Sequence, residues 1–380
     1  MERLSAQFPQ DHEVAAFYAL ALLDTSFPPD KTYADQRKAA AILEKIFTAQ
    51  PDHPGAAHYV IHSFDFPDLA PYALKAARAY AAIAPAVPHA LHMPSHIFTR
   101  LGLWDDSIRS NIDAKNAAHN ARENPGAGAP EELHAMDYLA YAYLQQGRDA
   151  EAVEVLKELQ AMARVQPAPQ SFYAEAAIPA RLAVERGEWA QAAELPEVSA
   201  SPETKAITHW ARALGAAHTG KLDEARAEII ELQDIRDAIK GKPGYDWSAQ
   251  VEVQRREAAG WLAHAENNND EAVRLLRSAV ELEETTEKHP VTPGPVLPAR
   301  DLLADLLVDV KRPTEALQDY ELSLKSAPHR LHALHGAAHS AELAGKRDIA
   351  KKYYAELLTT CPFADGRPEV EQAKMFLAHK

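Results

Sequence analysis

The feature that most constrains this chain is a repeat. The segment PTEALQDYELSLKSAP ends at Pro328 and KRDIAKKYYAELLTTCP ends at Pro362, an offset of 362 − 328 = 34 residues. Ala316 pairs with Ala350 and Tyr320 with Tyr354 at the same offset. Near the N-terminus, QPDHPGAAHYVIHSF and APAVPHALHMPSHIF align without a gap: Pro51 with Pro85, Pro54 with Pro88, Ala56 with Ala90, His58 with His92, His62 with His96 and Phe64 with Phe98. A period of this length means one supersecondary unit stacked many times, each copy covering an apolar face that its neighbour leaves open.

Weaker copies fill the middle. Gly147, Gly187, Gly220 and Gly345 each separate two helical patterns, and a glycine there ends a helix by accepting a left-handed conformation. A small Ala, an aromatic and a closing Pro at 34-residue spacing resemble the tetratricopeptide repeat. The resemblance implies an all-α, right-handed solenoid of about eight to nine helix pairs, a single array over residues 1–380. First helices are expected near 12–24, 54–65, 88–102, 131–146, 171–186, 203–219, 246–266 and 296–310, with a further pair over 329–360. The match is most specific in 51–147 and 312–362. Residues 367–379 read as a capping helix, and inserts lengthen the period at 25–34, 123–130, 240–246 and 284–298.

Composition narrows the function. The net charge is 40 − 55 = −15, which repels phosphate backbones and argues against nucleic acid as a partner. No apolar run is long enough to span a membrane, and no basic amphipathic stretch suits a membrane surface. Cys361 is the only cysteine, so intrachain disulfides and CxxC metal or redox motifs are excluded; it reads as a structural thiol. The segment MERLSAQFPQ has no apolar signal region, which makes the cytoplasm the expected location. A helical pattern already running by Val14 leaves room for a longer parent protein with a leader and an earlier repeat.

The functional lead is a row of histidines. Pro54, Pro88 and Pro130 each fit a first helical position. Four residues on from each stands His58, His92 or His134, and eight residues on His62, His96 or Tyr138. Side chains four apart share a helix face, and the tetratricopeptide resemblance implies that first helices line a concave surface. The row should therefore face a groove, with Asp65 and Asp137 as further candidates. Neutral imidazole suits zinc first, then copper, iron or manganese, and a carboxylate can complete such a shell or orient a histidine from outside it. Two other readings stay open. Duplication alone copies histidines, and a histidine beside Pro94 can satisfy a carbonyl freed where that proline bends the helix.

His89 lies off the shared face and joins the row only by leaning around. His332, His335 and His339 form a second stripe, read as facing solvent or a partner. His53 reads as a loop or cap residue, and His119 and His209 as isolated. Trp247, Gln250 and Gln254 lie on one stripe of a first helix and suit a ligand-binding face. Arg300 opens another, after the stiff segment HPVTPGPVLPARD, which can close the groove if the superhelix curls enough. Trp104 and Trp189 read as packing residues.

There is no P-loop, GxGxxG, HExxH, GxSxG or EF-hand loop, so no nucleotide cofactor is expected. The segments HPGAAHYVIH and HALHMPSHIF resemble a bacterial tetratricopeptide group; that resemblance carries no catalytic residue over. Three functions remain: a binding protein whose histidine-lined groove takes a metal ion, small molecule or peptide; a metal-dependent hydrolase or oxidoreductase using the same cluster; and a scaffold for protein partners.

Overall fold

The computed structural model describes residues 1–26, 30–122, 127–198, 200–364 and 366–378. Parts of the inserts expected at 25–34 and 123–130, and the last residue of the capping helix expected at 367–379, lie outside the described residues. The chain divides into two compact units, Met1–Glu123 and Asn124–Lys380, each with its own apolar core.

The first unit holds α1 (Glu2–Gln7), α2 (His12–Thr25), α3 (Ala34–Ala49), α4 (Pro54–Phe64), α5 (Ala70–Ile83), α6 (Pro88–His92), α7 (Pro94–Arg100) and α8 (Trp104–Ala121). The second holds α9 (Pro130–Gln145), α10 (Asp149–Ala161), α11 (Pro169–Glu185), α12 (Trp189–Ala193), α13 (Pro202–His218), α14 (Leu222–Ile239), α15 (Trp247–Ala265), α16 (Asn269–Glu283), α17 (Ala299–Asp309), α18 (Pro313–Ser326), α19 (Leu331–Leu343), α20 (Arg347–Thr360) and α21 (Pro368–Ala378). A two-residue parallel bridge, β1 (Ala127–Gly128) with β2 (Arg164–Val165), is the one strand pairing among the described residues. The fold is an all-α solenoid of the tetratricopeptide type. No helix among the described residues is long and apolar enough to cross a membrane.

Local chemistry sets these boundaries. Prolines occupy first-turn positions in α4, α9, α11, α13, α18 and others, where their missing N–H leaves no bond unmade. Asp11 caps α2, accepting from the Glu13 and Val14 amides at 3.0 and 3.1 Å. His53 caps α4 through Nδ1, which accepts from the Ala56 amide at 3.2 Å, as its place before Pro54 suggested.

Seven first helices end alike. A residue with positive φ (Gly102, Gly147, Gly187, Gly220, Asn267, Lys311 or Gly345) is followed by one whose N–H reaches a carbonyl five residues back: Leu103 to Phe98, Arg148 to Tyr143, Glu188 to Ala183, Lys221 to Ala216, Asn268 to Ala263, Arg312 to Leu307 and Lys346 to Ala341, all at 2.8–2.9 Å. This is the Schellman closure. The same backbone turn thus recurs where the sequence period itself is irregular, and twice without glycine.

The repeat signature residues are core. Ala316 and Ala350 are fully buried, and Tyr320 and Tyr354 nearly so. Gly336 gives Tyr320 its room, since a Cβ there would stand 2.2 Å from the tyrosine ring.

The second unit closes on itself around buried charge. Arg181 on α11 donates from Nε to Asp137 Oδ1 on α9 at 2.8 Å, and both are buried. Its Nη1 and Nη2 donate to the carbonyls of Pro295 and Gly294 at 2.9 and 3.0 Å, and Tyr138 donates to the Thr292 carbonyl at 3.1 Å. The proline-rich segment after His289 therefore folds inward onto α9 and α11. From the last repeat, Arg330, at the N-cap of α19, pairs with Asp301 and with Glu185 at 3.1 Å. Arg367 donates to the Glu185 carbonyl at 3.0 Å, and Cys361 Sγ lies 3.6 Å from the Gln145 carbonyl. Burial pushes that thiol up to about 12, in keeping with a structural role.

Candidate metal centre

The histidines of α4 and of the α6–α7 segment meet within the first unit. His58 and His62 sit one turn apart on α4 and bring their Nε2 atoms to 3.0 Å. His89 Nε2 lies 3.1 Å from His58 Nε2, and the three ligand atoms fall within 4.8 Å of one another. His58 lies between Tyr59 and Tyr80, with ring centroids at 5.3 and 5.5 Å. Burial, reinforced by the rings of His62, His89 and His96, lowers the His58 pKa to about 2. It stays neutral at physiological pH, with a lone pair to give.

The second pair is deeper. His92 and His96 are both 2 % exposed, with Nε2 atoms 3.1 Å apart. His96 Nδ1 lies 2.9 Å from Asp65 Oδ2, while Asp65 Oδ1 and its carbonyl accept from Arg100 at 2.8 and 2.9 Å. His92 Nδ1 lies 2.6 Å from Asn111 Oδ1, and Asn111 Nδ2 donates to the Ser107 carbonyl at 2.8 Å. The His62 and His96 rings lie edge-on with centroids 6.3 Å apart.

Proline-based counting found His58, His62, His92 and His96, which the fold brings close. Asp65 is buried and meets His96 Nδ1. The helix expected over 88–102, with a bend at Pro94, is split into two at Met93, as a proline that clashes with the preceding turn does. His89, on the short piece before the break, then reaches His58. Asn111 was missed altogether. Its signal was a polar residue in the buried stripe Trp104, Ser107, Ile108, Asn111, Ala114, Ala118 of α8.

The remaining candidates belong to the second unit. His134 lies edge-on to Tyr138, centroids 5.3 Å apart. Asp137 and Tyr138, read as groove-facing contacts, are instead buried, held by Arg181 and Thr292. The inward proline-rich segment covers the face they were expected to present, and desolvation would make an uncompensated Asp137 carboxylate untenable there. Trp247 packs at a tilt against His289, centroids 5.0 Å apart, and meets Tyr245 edge-on at 4.8 Å. Gln250 donates to Thr286 Oγ1 at 2.9 Å, and Gln254 Oε1 is buried without a hydrogen-bond partner among the described residues. Arg300 pairs with Asp319 at 2.5 Å and with Glu284.

The stripe expected to face solvent or a partner meets other parts of the chain. His332 Nε2 lies 3.0 Å from Asp305. Burial opposes its charge, but Asp305 more than compensates and lifts its pKa to about 9. His335 and His339 contact Gln372 of the capping helix at 2.9 and 3.1 Å. His209, read as isolated, is held by Glu228 at 2.5 Å. Trp104 is buried, and Trp189 stacks flat on His218 at 3.9 Å, the packing roles expected of both.

Neither a protein-family model nor a curated protein matches this chain. Among solved structures it is similar to a tetratricopeptide repeat protein from Parabacteroides merdae ATCC 43184, at 14% identity over 77% of this chain and 97% of that one, with a TM-score of 0.36. It is also similar to human IFIT1, solved as a dimer with m7Gppp-AAAA, at 15% identity over 92% of this chain and 72% of that one, TM-score 0.42. Yeast Tom70 aligns at 11% identity over 97% of this chain and 89% of that one, TM-score 0.36.

Proposed function

We propose that the first unit is a transition-metal-binding module, with His58, His62 and His89 as ligands through Nε2. The observation that carries this is the convergence of three imidazole nitrogens, 3.0 and 3.1 Å along two edges. Ligand bonds of about 2.0–2.1 Å in a tetrahedron put neighbouring nitrogens roughly 3.3–3.4 Å apart. These two edges need open by only a few tenths of an ångström to admit the ion, and the third lies within 4.8 Å. Nitrogen-only donors suit zinc or copper best.

Three protein ligands leave a fourth position for water or a small molecule, the open arrangement of catalytic rather than structural zinc sites. His89 is exposed, so that position has a route to solvent. This favours a metal-dependent enzyme as the second reading. The tetratricopeptide-type array is the scaffold that holds the ligands.

The test is metal analysis of tag-free protein after dialysis, with a His58→Gln/His62→Gln variant alongside. Bound zinc or copper that falls by one ion per chain in the variant is the expected result. Protein that takes up neither ion on titration, or a variant that binds as wild type does, would refute the proposal.

A further inference from the structure

The pair His92 and His96 poses a separate problem of charge. Asn111 Nδ2 is committed to the Ser107 carbonyl, so Asn111 turns its oxygen toward His92 Nδ1 and requires a proton there. Asp65 requires the same of His96 Nδ1. A neutral imidazole protonated on Nδ1 carries its lone pair on Nε2. Two such lone pairs therefore face each other at 3.1 Å in a buried site. They repel unless a cation, either a shared proton or a metal ion, sits between them, and the copper titration below separates the two.

Asp65 and Asn111 are also the kind of partners that fix metal-ligating histidines, a carboxylate or carbonyl oxygen on the far nitrogen. The arrangement is built: Asp65 is itself pinned by Arg100 from both its side chain and its carbonyl. The His62 and His96 rings, one from each group, are 6.3 Å apart.

We infer that His92 and His96 hold a second metal ion, so that the histidine centre of this unit is dinuclear, with a small oxygen-donor anion bridging the two ions. The inference rests on the metal-binding reading of His58, His62 and His89. The bridge follows from charge. The converging donors among the described residues are imidazoles, which bring no negative charge, so two divalent ions bring four positive charges into a largely buried place. A shared hydroxide or carboxylate reduces that charge and fills an open position on each ion.

The experiment is copper(II) titration of the metal-free full chain, read by metal analysis and by integrated electron paramagnetic resonance. Two ions per chain are expected, with fewer than two spins because a bridging anion couples them. His92→Gln/His96→Gln should bind one ion and give one full spin. Asn111→Ala keeps both imidazoles but frees the His92 tautomer, and should weaken the second ion about tenfold. If the double variant loses its helical circular dichroism, Asn111→Ala decides alone.

One ion per chain, removed by His58→Gln/His62→Gln and untouched by the His92/His96 and Asn111 changes, overturns the second position and leaves the first standing. Two ions with two full spins overturn the bridge. No binding at all defeats both readings.

Discussion

Arg181 donates from Nε to Asp137 Oδ1 at 2.8 Å between consecutive first helices, and neither side chain exposes more than 1 % of its surface. A buried pair of this kind is weak evidence of stability gained, but breaking it leaves one charge stranded. Asp137→Ala should therefore destabilise the second unit by about 3–5 kcal/mol. Urea denaturation followed by circular dichroism reads this directly. A loss below about 1 kcal/mol would mean that Thr292 Oγ1 and the Gly294 and Pro295 carbonyls satisfy the guanidinium without Asp137.

Gly336 and Tyr320 make a second, purely steric prediction. The tyrosine hydroxyl is tied to Asp305, so its ring cannot swing away from a new methyl group. Gly336→Ala should cost about 1–3 kcal/mol, although alanine is the better helix former. Pairing it with Tyr320→Leu should recover much of the loss, a coupling that a double-mutant cycle measures.

His332 predicts a pH dependence. Its folded pKa of about 9 lies above the ordinary 6.5, so its contribution is fully present below pH 6.5 and is lost as pH rises through 9. The ring is 25% exposed, which tempers the effect to on the order of 1–3 kcal/mol. The stability gap between wild type and His332→Gln should be wide at pH 6 and narrow at pH 9.5. A gap that does not change across that range would show that Asp305 does not hold the proton on.

Asp65→Asn tests the outer support of the histidine centre. The amide still meets His96 but no longer pairs with Arg100 as a charge. Affinity for zinc should fall 10–100-fold with the helical content unchanged. Equal affinity in competition titrations would place Asp65 in packing alone.

The helix pairs were legible because period, proline and glycine are local signals, and each acts within one repeat. Four histidines were legible for the same reason: counting from Pro54 and Pro88 needs no tertiary information. His89 was not, because its reach depends on how far Pro94 breaks the helix. Tyr138 obeyed the same counting from Pro130, Asp137 was read as its neighbour, and both are buried instead of lining a groove. Tyr138 meets Thr292, 154 residues along the chain, Asp137 meets Arg181, 44 residues along, and no periodic pattern encodes either meeting.

The contacts that bring Arg367 to Glu185 and Cys361 to Gln145 alter how the second unit should come apart. An open stack of repeats frays from its ends, each repeat answering only to its neighbours. Here the last helices of this unit grip its own first ones, α9 and α11, so fraying at either end of the unit must also break the grip. Amide exchange in α9 and α20 should then report one shared opening event rather than a gradient along the array.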